Sequence, residues 1–308
     1  MSVRSRVAGG LAARFGQRRV ALAAVGLAVA AASTSAILIR AGNAPEPVMA
    51  FYRVLFTVAF LLPVARGTRA ELSGVSRRDL LAAVAAGLAL AVHFGTWFES
   101  VDRTTIAASV TLVQTQPLFV AAGAAFLLGE RVTRWTVAGV LVAVVGVVVL
   151  STEGLLGTTA APEPLVGNAL AVAGAVAAAG YVLTGRSVRQ RVSVVPYVLV
   201  VYAVAALGLL ALALVRGVPL VGYPPHEWVL FVGMAVGPGI LGHTLINWAL
   251  EYVESSVVSV SLVAEPLGSA ALAALVFAEV PGPLTVAGGA VVIAGILLTA
   301  RSQRGVGG

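Results

Sequence analysis

Apolar residues in this chain come in long unbroken runs separated by short clusters of Arg, Gly, Pro and acids. A bilayer core about 30 Å thick takes roughly 20 apolar residues per helix, and on that ruler ten spans are predicted. They run approximately from Val20 to Ala41, Pro47 to Ala65, Leu80 to Phe98, Ile106 to Leu128, Trp135 to Ser151, Leu165 to Leu183, Val194 to Val215, Trp228 to Leu250, Val257 to Phe277 and Leu284 to Ala300. Within the runs there is no period-2 alternation. Helices that satisfy their own backbones are therefore expected, not a transmembrane barrel.

Composition agrees with this pattern. With 59% hydrophobic and 11% charged residues and a mean hydropathy of +0.99 over 308 residues, too little polar surface exists to cover a water-facing globule. All 20 basic residues are Arg. Five lie in the N-terminal tail, four in the second loop, two in the fourth, three in the sixth and two at the C-terminus, all on one face of a ten-span bundle. By the positive-inside rule both termini are expected in the cytoplasm, in a plasma membrane. Scattered this way, the Arg residues form no stripe for nucleic acid. The absence of Cys excludes disulfides, thiolate metal sites and cysteine nucleophiles.

An internal repeat refines the picture. "SVTLVQTQPL" (109–118) and "SVSLVAEPL" (259–267) match after one deletion, and Pro117 and Pro266 each precede a Glu by 13 residues, at Glu130 and Glu279. His93 answers His243, Tyr52 answers Tyr202, and Gly146 answers Gly295. Five helices per copy place the second copy upside down, an inverted repeat suited to alternating access around a midplane site. The expected fold is an all-α polytopic membrane protein of ten transmembrane helices in two inverted five-helix repeats. Its parts are a basic tail (1–19), a first repeat (20–152), an extracytoplasmic linker (153–164), a second repeat (165–300) and a short tail (301–308).

These paired features resemble the ten-helix EamA branch of the drug/metabolite transporter superfamily. "FYRVLFTVAFLLP" (51–63) is similar to the opening of the family's second helix. "LLGERVTRWTVAGVLVAVVGVVVL" (127–150) and "VFAEVPGPLTVAGGAVVIAGILL" (276–298) resemble its repeat-closing signature, although Ala278 replaces the usual Gly. The resemblance implies a transporter, most simply an exporter of amino acids or related metabolites. Multidrug or sugar and nucleotide-conjugate transport are the alternatives within the fold. A membrane-embedded enzyme using His93, His243 and Glu265 is the rival from another class, but no catalytic motif supports it.

The candidate translocation residues are the polar groups at membrane depth. Glu265 stands beside Pro266, which frees backbone groups there; its counterpart in the first repeat is neutral Gln116, with Gln114 nearby. The carboxylate either meets cargo, exchanges a proton or locks two helices. His93 shares a helix face with Trp97, and His243 with Asn247; each His lines a pathway or makes an interhelical hydrogen bond. Arg53 holds a substrate carboxylate, pairs with an acid or snorkels. Tyr52, Tyr202 and Trp248 add aromatic surface, either as ligand contacts or as interfacial anchors. Gly237, Pro238 and Gly239 mark a break or kink in the eighth span. Glu130 and Glu279 are expected to cap the helices that follow them, in a fold or gating role. Small-molecule cargo, the bilayer and protons are the expected partners of a monomer or homodimer. No cofactor, metal or nucleic acid is expected.

Overall fold

The computed structural model describes residues 17–65, 71, 74–128, 133–157, 161–189, 191–242, 245 and 264–304. Among them the chain is helical and carries no strand. The helices are α1 (Gln17–Ser33), α2 (Ser35–Ala41), α3 (Glu46–Ala65), α4 (Arg77–Arg103), α5 (Ile106–Val113), α6 (Gln116–Leu128), α7 (Arg134–Leu155), α8 (Pro164–Val188), α9 (Val194–Val215), α10 (Pro225–Met234), α11 (Ala264–Phe277) and α12 (Pro283–Arg304). A π-helical segment, Ala235–Gly242, continues α10. Among the described residues, six segments are long and apolar enough to cross a membrane: Arg19–Ala41, Glu46–Pro63, Arg77–Arg103, Arg134–Leu155, Pro164–Gly185 and Val195–Val215. They coincide with predicted spans one, two, three, five, six and seven. The remaining predicted spans contain shorter or broken pieces, compatible with ten crossings.

Local chemistry places the ends. Ser76 caps α4 by accepting from the Asp79 amide at 3.1 Å, and its hydroxyl donates to the Asp79 carboxylate at 2.7 Å. Thr105 and Thr133 cap α5 and α7 in the same way. Pro164 and Pro225 open α8 and α10, where a missing N–H costs nothing.

Among the described residues, three predicted spans are discontinuous. The first breaks at Thr34, whose hydroxyl donates back to the Ala31 carbonyl at 2.7 Å. The fourth is not one kinked helix: α5 stops at Val113, Gln114 and Thr115 form a turn, and α6 restarts at Gln116. Pro117 thus sits in a first turn, where its ring meets no preceding helical carbonyl. Pro266 occupies the third position of α11 as described. In the eighth span Gly237, Pro238 and Gly239 widen the helix into the π segment, the expected irregularity in a particular form.

Packing follows an exchange symmetry. α4 lies against α8, and the π segment with α10 lies against α1 and α2; α5 and α6 touch α8 as α11 touches α1 and α2. Three contacts map onto themselves: α3 with α9, α5 with α11 and α7 with α12. Each repeat therefore completes itself on the first helix of the other. The α7–α12 contact is backbone-close because the repeat-related glycines face one another. A Cβ on Gly146 would lie 2.5 Å from the Val292 nitrogen and 2.7 Å from the Gly288 oxygen.

Gly146→Leu should separate these helices and cost about 1–3 kcal/mol, read as a lowered Tm in detergent. Gly26→Ala, which meets nothing within 4 Å, should change it little.

Candidate functional site

Arg53 lies on α3 and is 4% exposed, so its guanidinium stays inside the bundle instead of snorkelling. Its Nη1 donates to Ser35 Oγ at 2.8 Å, just past the break between α1 and α2. Phe94, Trp97 and Phe98 share one face of α4 and surround the cation, with ring centroids 4.7, 5.7 and 5.7 Å from Cζ. Three rings offset part of the desolvation cost of a buried cation. Tyr202 on α9 and Glu265 on α11 lie within its electrostatic reach.

Glu265 is half-buried in the first turn of α11. Its Oε2 accepts from Gln114 Nε2 at 2.6 Å. The cross-repeat partner is therefore Gln114, exposed for this contact by the turn between α5 and α6. Gln116, the aligned residue, opens α6 instead. The same region is stitched by hydroxyls: Ser33 Oγ donates to the Glu265 carbonyl at 3.3 Å, and Ser269 Oγ donates to the Ser33 carbonyl at 3.1 Å. No ion pair joins Arg53 to Glu265 among the described residues. Opposite charges from the two repeats thus face one region, each held by a neutral partner.

Other candidates distribute differently. His93 Nδ1 is 3.0 Å from the Gly174 carbonyl on α8, and its ring stacks on Trp97 at 5.9 Å. The interhelical bond is realised. Trp97 is 5% exposed, and its Nε1 has no hydrogen-bond partner among the described residues. Tyr52 neighbours Arg53 in sequence but points elsewhere: its hydroxyl donates to the Leu220 carbonyl at 2.9 Å, and its ring packs on Phe51, Trp228 and Phe231. Tyr52 thereby ties α3 to the loop before α10. The π segment presses on α3, since a Cβ on Gly239 would lie 3.0 Å from Thr57 Oγ1, whose hydroxyl donates to the Arg53 carbonyl at 2.8 Å. His243, Asn247, Trp248 and Glu130 lie outside the described residues.

Glu279 does cap a helix, but not the one that follows it. Its Oε1 accepts from the Ile106 amide at 2.5 Å, capping α5 of the other repeat, and its Oε2 pairs with Arg40 Nη1 at 3.1 Å. Arg40 also donates to the Val101 and Thr104 carbonyls that end α4. The helix that Glu279 was expected to cap, α12, takes Glu153 instead, which accepts from the Leu284 amide at 2.9 Å and from the Thr285 hydroxyl at 2.5 Å. Two further cross-repeat ties hold the ends of α4. Arg191 pairs with Asp79 at 2.6 Å, and Arg216 with Glu99 at 2.7 Å. The Asp79 hydrogen bond and charge raise the Arg191 pKa above its ordinary value. Sequence periodicity offers no signal for Arg40, Ser35 or Gln114, because their partners lie 239, 18 and 151 residues away.

A family model described as the EamA-like transporter family matches residues 19–152 and again 165–301. The chain belongs to that family. This EamA chain is 25% identical over 231 residues to the pseudopaline exporter CntI in two strains of Pseudomonas aeruginosa, covering 75% of this chain and 78% of each relative. A solved crystal structure superposes with a TM-score of 0.62 at 22% identity, over 94% of this chain and 99% of that one, a likeness in fold. The protein is thus a multi-pass membrane transporter. Ala278 adopts φ 55, a left-handed conformation that a Cβ disfavours.

Ala278→Gly should relieve that strain and stabilise the protein by about 0.5–1 kcal/mol, raising Tm in detergent. Arg40→Gln removes the countercharge of Glu279 and two backbone acceptors' partner, and should cost about 2–3 kcal/mol. Arg216→Gln, at a more exposed pair, should cost under about 1 kcal/mol; thermal unfolding of both variants checks the contrast.

Proposed function

We propose that this chain exports a small metabolite, an amino acid or a related compound, by alternating access between its two inverted repeats. The observation that carries the reading is the charge arrangement around α3, α4 and α11. Arg53 and Glu265, one from each repeat, are kept at membrane depth beside the breaks at Thr34 and Gln114–Thr115. A charge at such depth costs roughly 2.5–3.5 kcal/mol on insertion scales and is retained where it serves a polar path. Phe94, Trp97 and Phe98 form an apolar wall beside Arg53, suited to a cargo with an apolar body and few polar points. Irregular backbone at three spans supplies places where helices hinge without breaking long hydrogen-bond ladders.

Export is favoured by the relative named an exporter. In this reading the repeats, 20–152 and 165–300, rock about the site. Both termini face the cytoplasm across a plasma membrane, and protons are the candidate coupling ion. Arg53, Trp97 and Tyr202 contact or orient cargo, Glu265 faces them from the other repeat with Gln114 as its hydrogen-bond partner, and His93, Tyr52 and Glu279 hold the frame.

Purified protein in proteoliposomes, loaded in parallel with labelled amino acids, a sugar and a cationic drug, tests the cargo class. Amino-acid efflux at least about tenfold above protein-free vesicles is expected, and the same ligands should raise Tm. Efflux confined to the sugar or the drug would overturn the assignment.

A further inference from the structure

The buried guanidinium poses a problem that recurs in every transport cycle. Arg53 is 4% exposed, and among the described residues its five N–H groups have one hydrogen-bond acceptor, the neutral Ser35 hydroxyl. Phe94, Trp97 and Phe98 supply ring faces, which soften the burial of a cation without neutralising it. Beside them the Trp97 Nε1 is buried and unpartnered among the described residues. A guanidinium with donors to spare and an indole N–H with none used make a pair of donors awaiting an acceptor. The acidic group within electrostatic reach, Glu265, belongs to the other repeat and is held back by Gln114 at 2.6 Å.

We propose that Arg53 receives an anionic group of the cargo, a carboxylate or its equivalent, and that Glu265 replaces that group as counter-ion when the carrier is empty. The inference rests on the alternating-access reading and specifies its cargo and cycle. A loaded carrier crosses with Arg53 neutralised by cargo. Once cargo leaves, the bundle must return with Arg53 still buried, and an uncompensated charge at that depth lowers the population of the crossing state by roughly 100-fold. Glu265 removes this obstacle by swinging from Gln114 toward Arg53. Gln114 is then a parking partner, weaker than a cation and so easily left. The polarity of the arrangement is informative: the cation sits in the aromatic box of one repeat, whereas the acid has a neutral amide partner. The acid is the mobile member.

The test separates return of the empty carrier from return of the loaded one. Wild type, Glu265→Gln and Gln114→Ala are reconstituted, and two modes are measured with labelled phenylalanine: net efflux into cargo-free buffer, and exchange with unlabelled phenylalanine on both sides. Wild type should perform both. Glu265→Gln should lose net efflux by about tenfold or more while exchange stays within about threefold, because cargo then supplies the only anion. Gln114→Ala should keep both modes. For wild type, 3-phenylpropionate should inhibit exchange, and phenethylamine, which lacks the carboxylate, should not. Loss of both modes in Glu265→Gln with an unchanged Tm would overturn the counter-ion role, as would retention of net efflux. Gln114→Ala behaving like Glu265→Gln would show a helix tie instead, and inhibition by phenethylamine would sink the anion assignment. If wild type moves phenylalanine in neither mode, the amino-acid reading falls, and this proposal with it.

Discussion

A charged group placed among apolar helices must find its compensation inside the protein, and the bundle is arranged around that requirement at Arg53. Water cannot solvate it and the stem is too deep to reach the surface, so α4 turns three rings toward it, the break after α1 presents Ser35, and α11 brings an acid within range. Each contribution comes from a different span. Removing the cation would leave the aromatic box, the serine and the acid without a shared purpose, which is why these elements are best understood together.

The same constraint governs the helix ends. A break in a membrane helix exposes amides and carbonyls that lipid cannot satisfy. Glu279 answers the start of α5, Arg40 the end of α4 and Glu153 the start of α12. Glu279 comes from the repeat opposite to the helix it caps, and Glu153 from the end of α7, the helix packed against α12. Capping thus does two jobs: it satisfies backbone and it fastens one repeat to the other. The glycines between α7 and α12 add a contact with no polar content, where small size alone lets the backbones meet. The two kinds of fastening suit different demands, since glycine packing is rigid while ionic caps can be exchanged for other partners.

The broken spans show how far local rules reach. Pro117 announces that helical geometry is disfavoured at the residue before it, yet a kink and a complete break satisfy that rule equally. The turn at Gln114 and Thr115 resolves the matter, and in doing so it swings Gln114, not the aligned Gln116, toward Glu265. Alignment of the two copies compares positions along a helix; a break resets the facing of everything near it. Tyr52 faces away from Arg53 for a related reason. It is adjacent to Arg53 in sequence, but neighbours on a helix point about 100° apart, and Tyr52 consequently enters the aromatic cluster with Trp228 and Phe231.

Apolar runs of bilayer length were enough to specify a helical membrane protein and the approximate place of six of its spans, because these depend on composition and period along one dimension, while the family was legible only through the motifs that resemble it. The identity of the deep polar residues was also legible, since any charge in an apolar run stands out. Which of them meet was settled only by packing. Partners such as Arg40 with Glu279 and Gln114 with Glu265 are 239 and 151 residues apart, and their contact depends on crossing helices and on where a helix stops. Hydrophobic periodicity records which face of a helix is greasy; it carries no record of which distant face will lie against it.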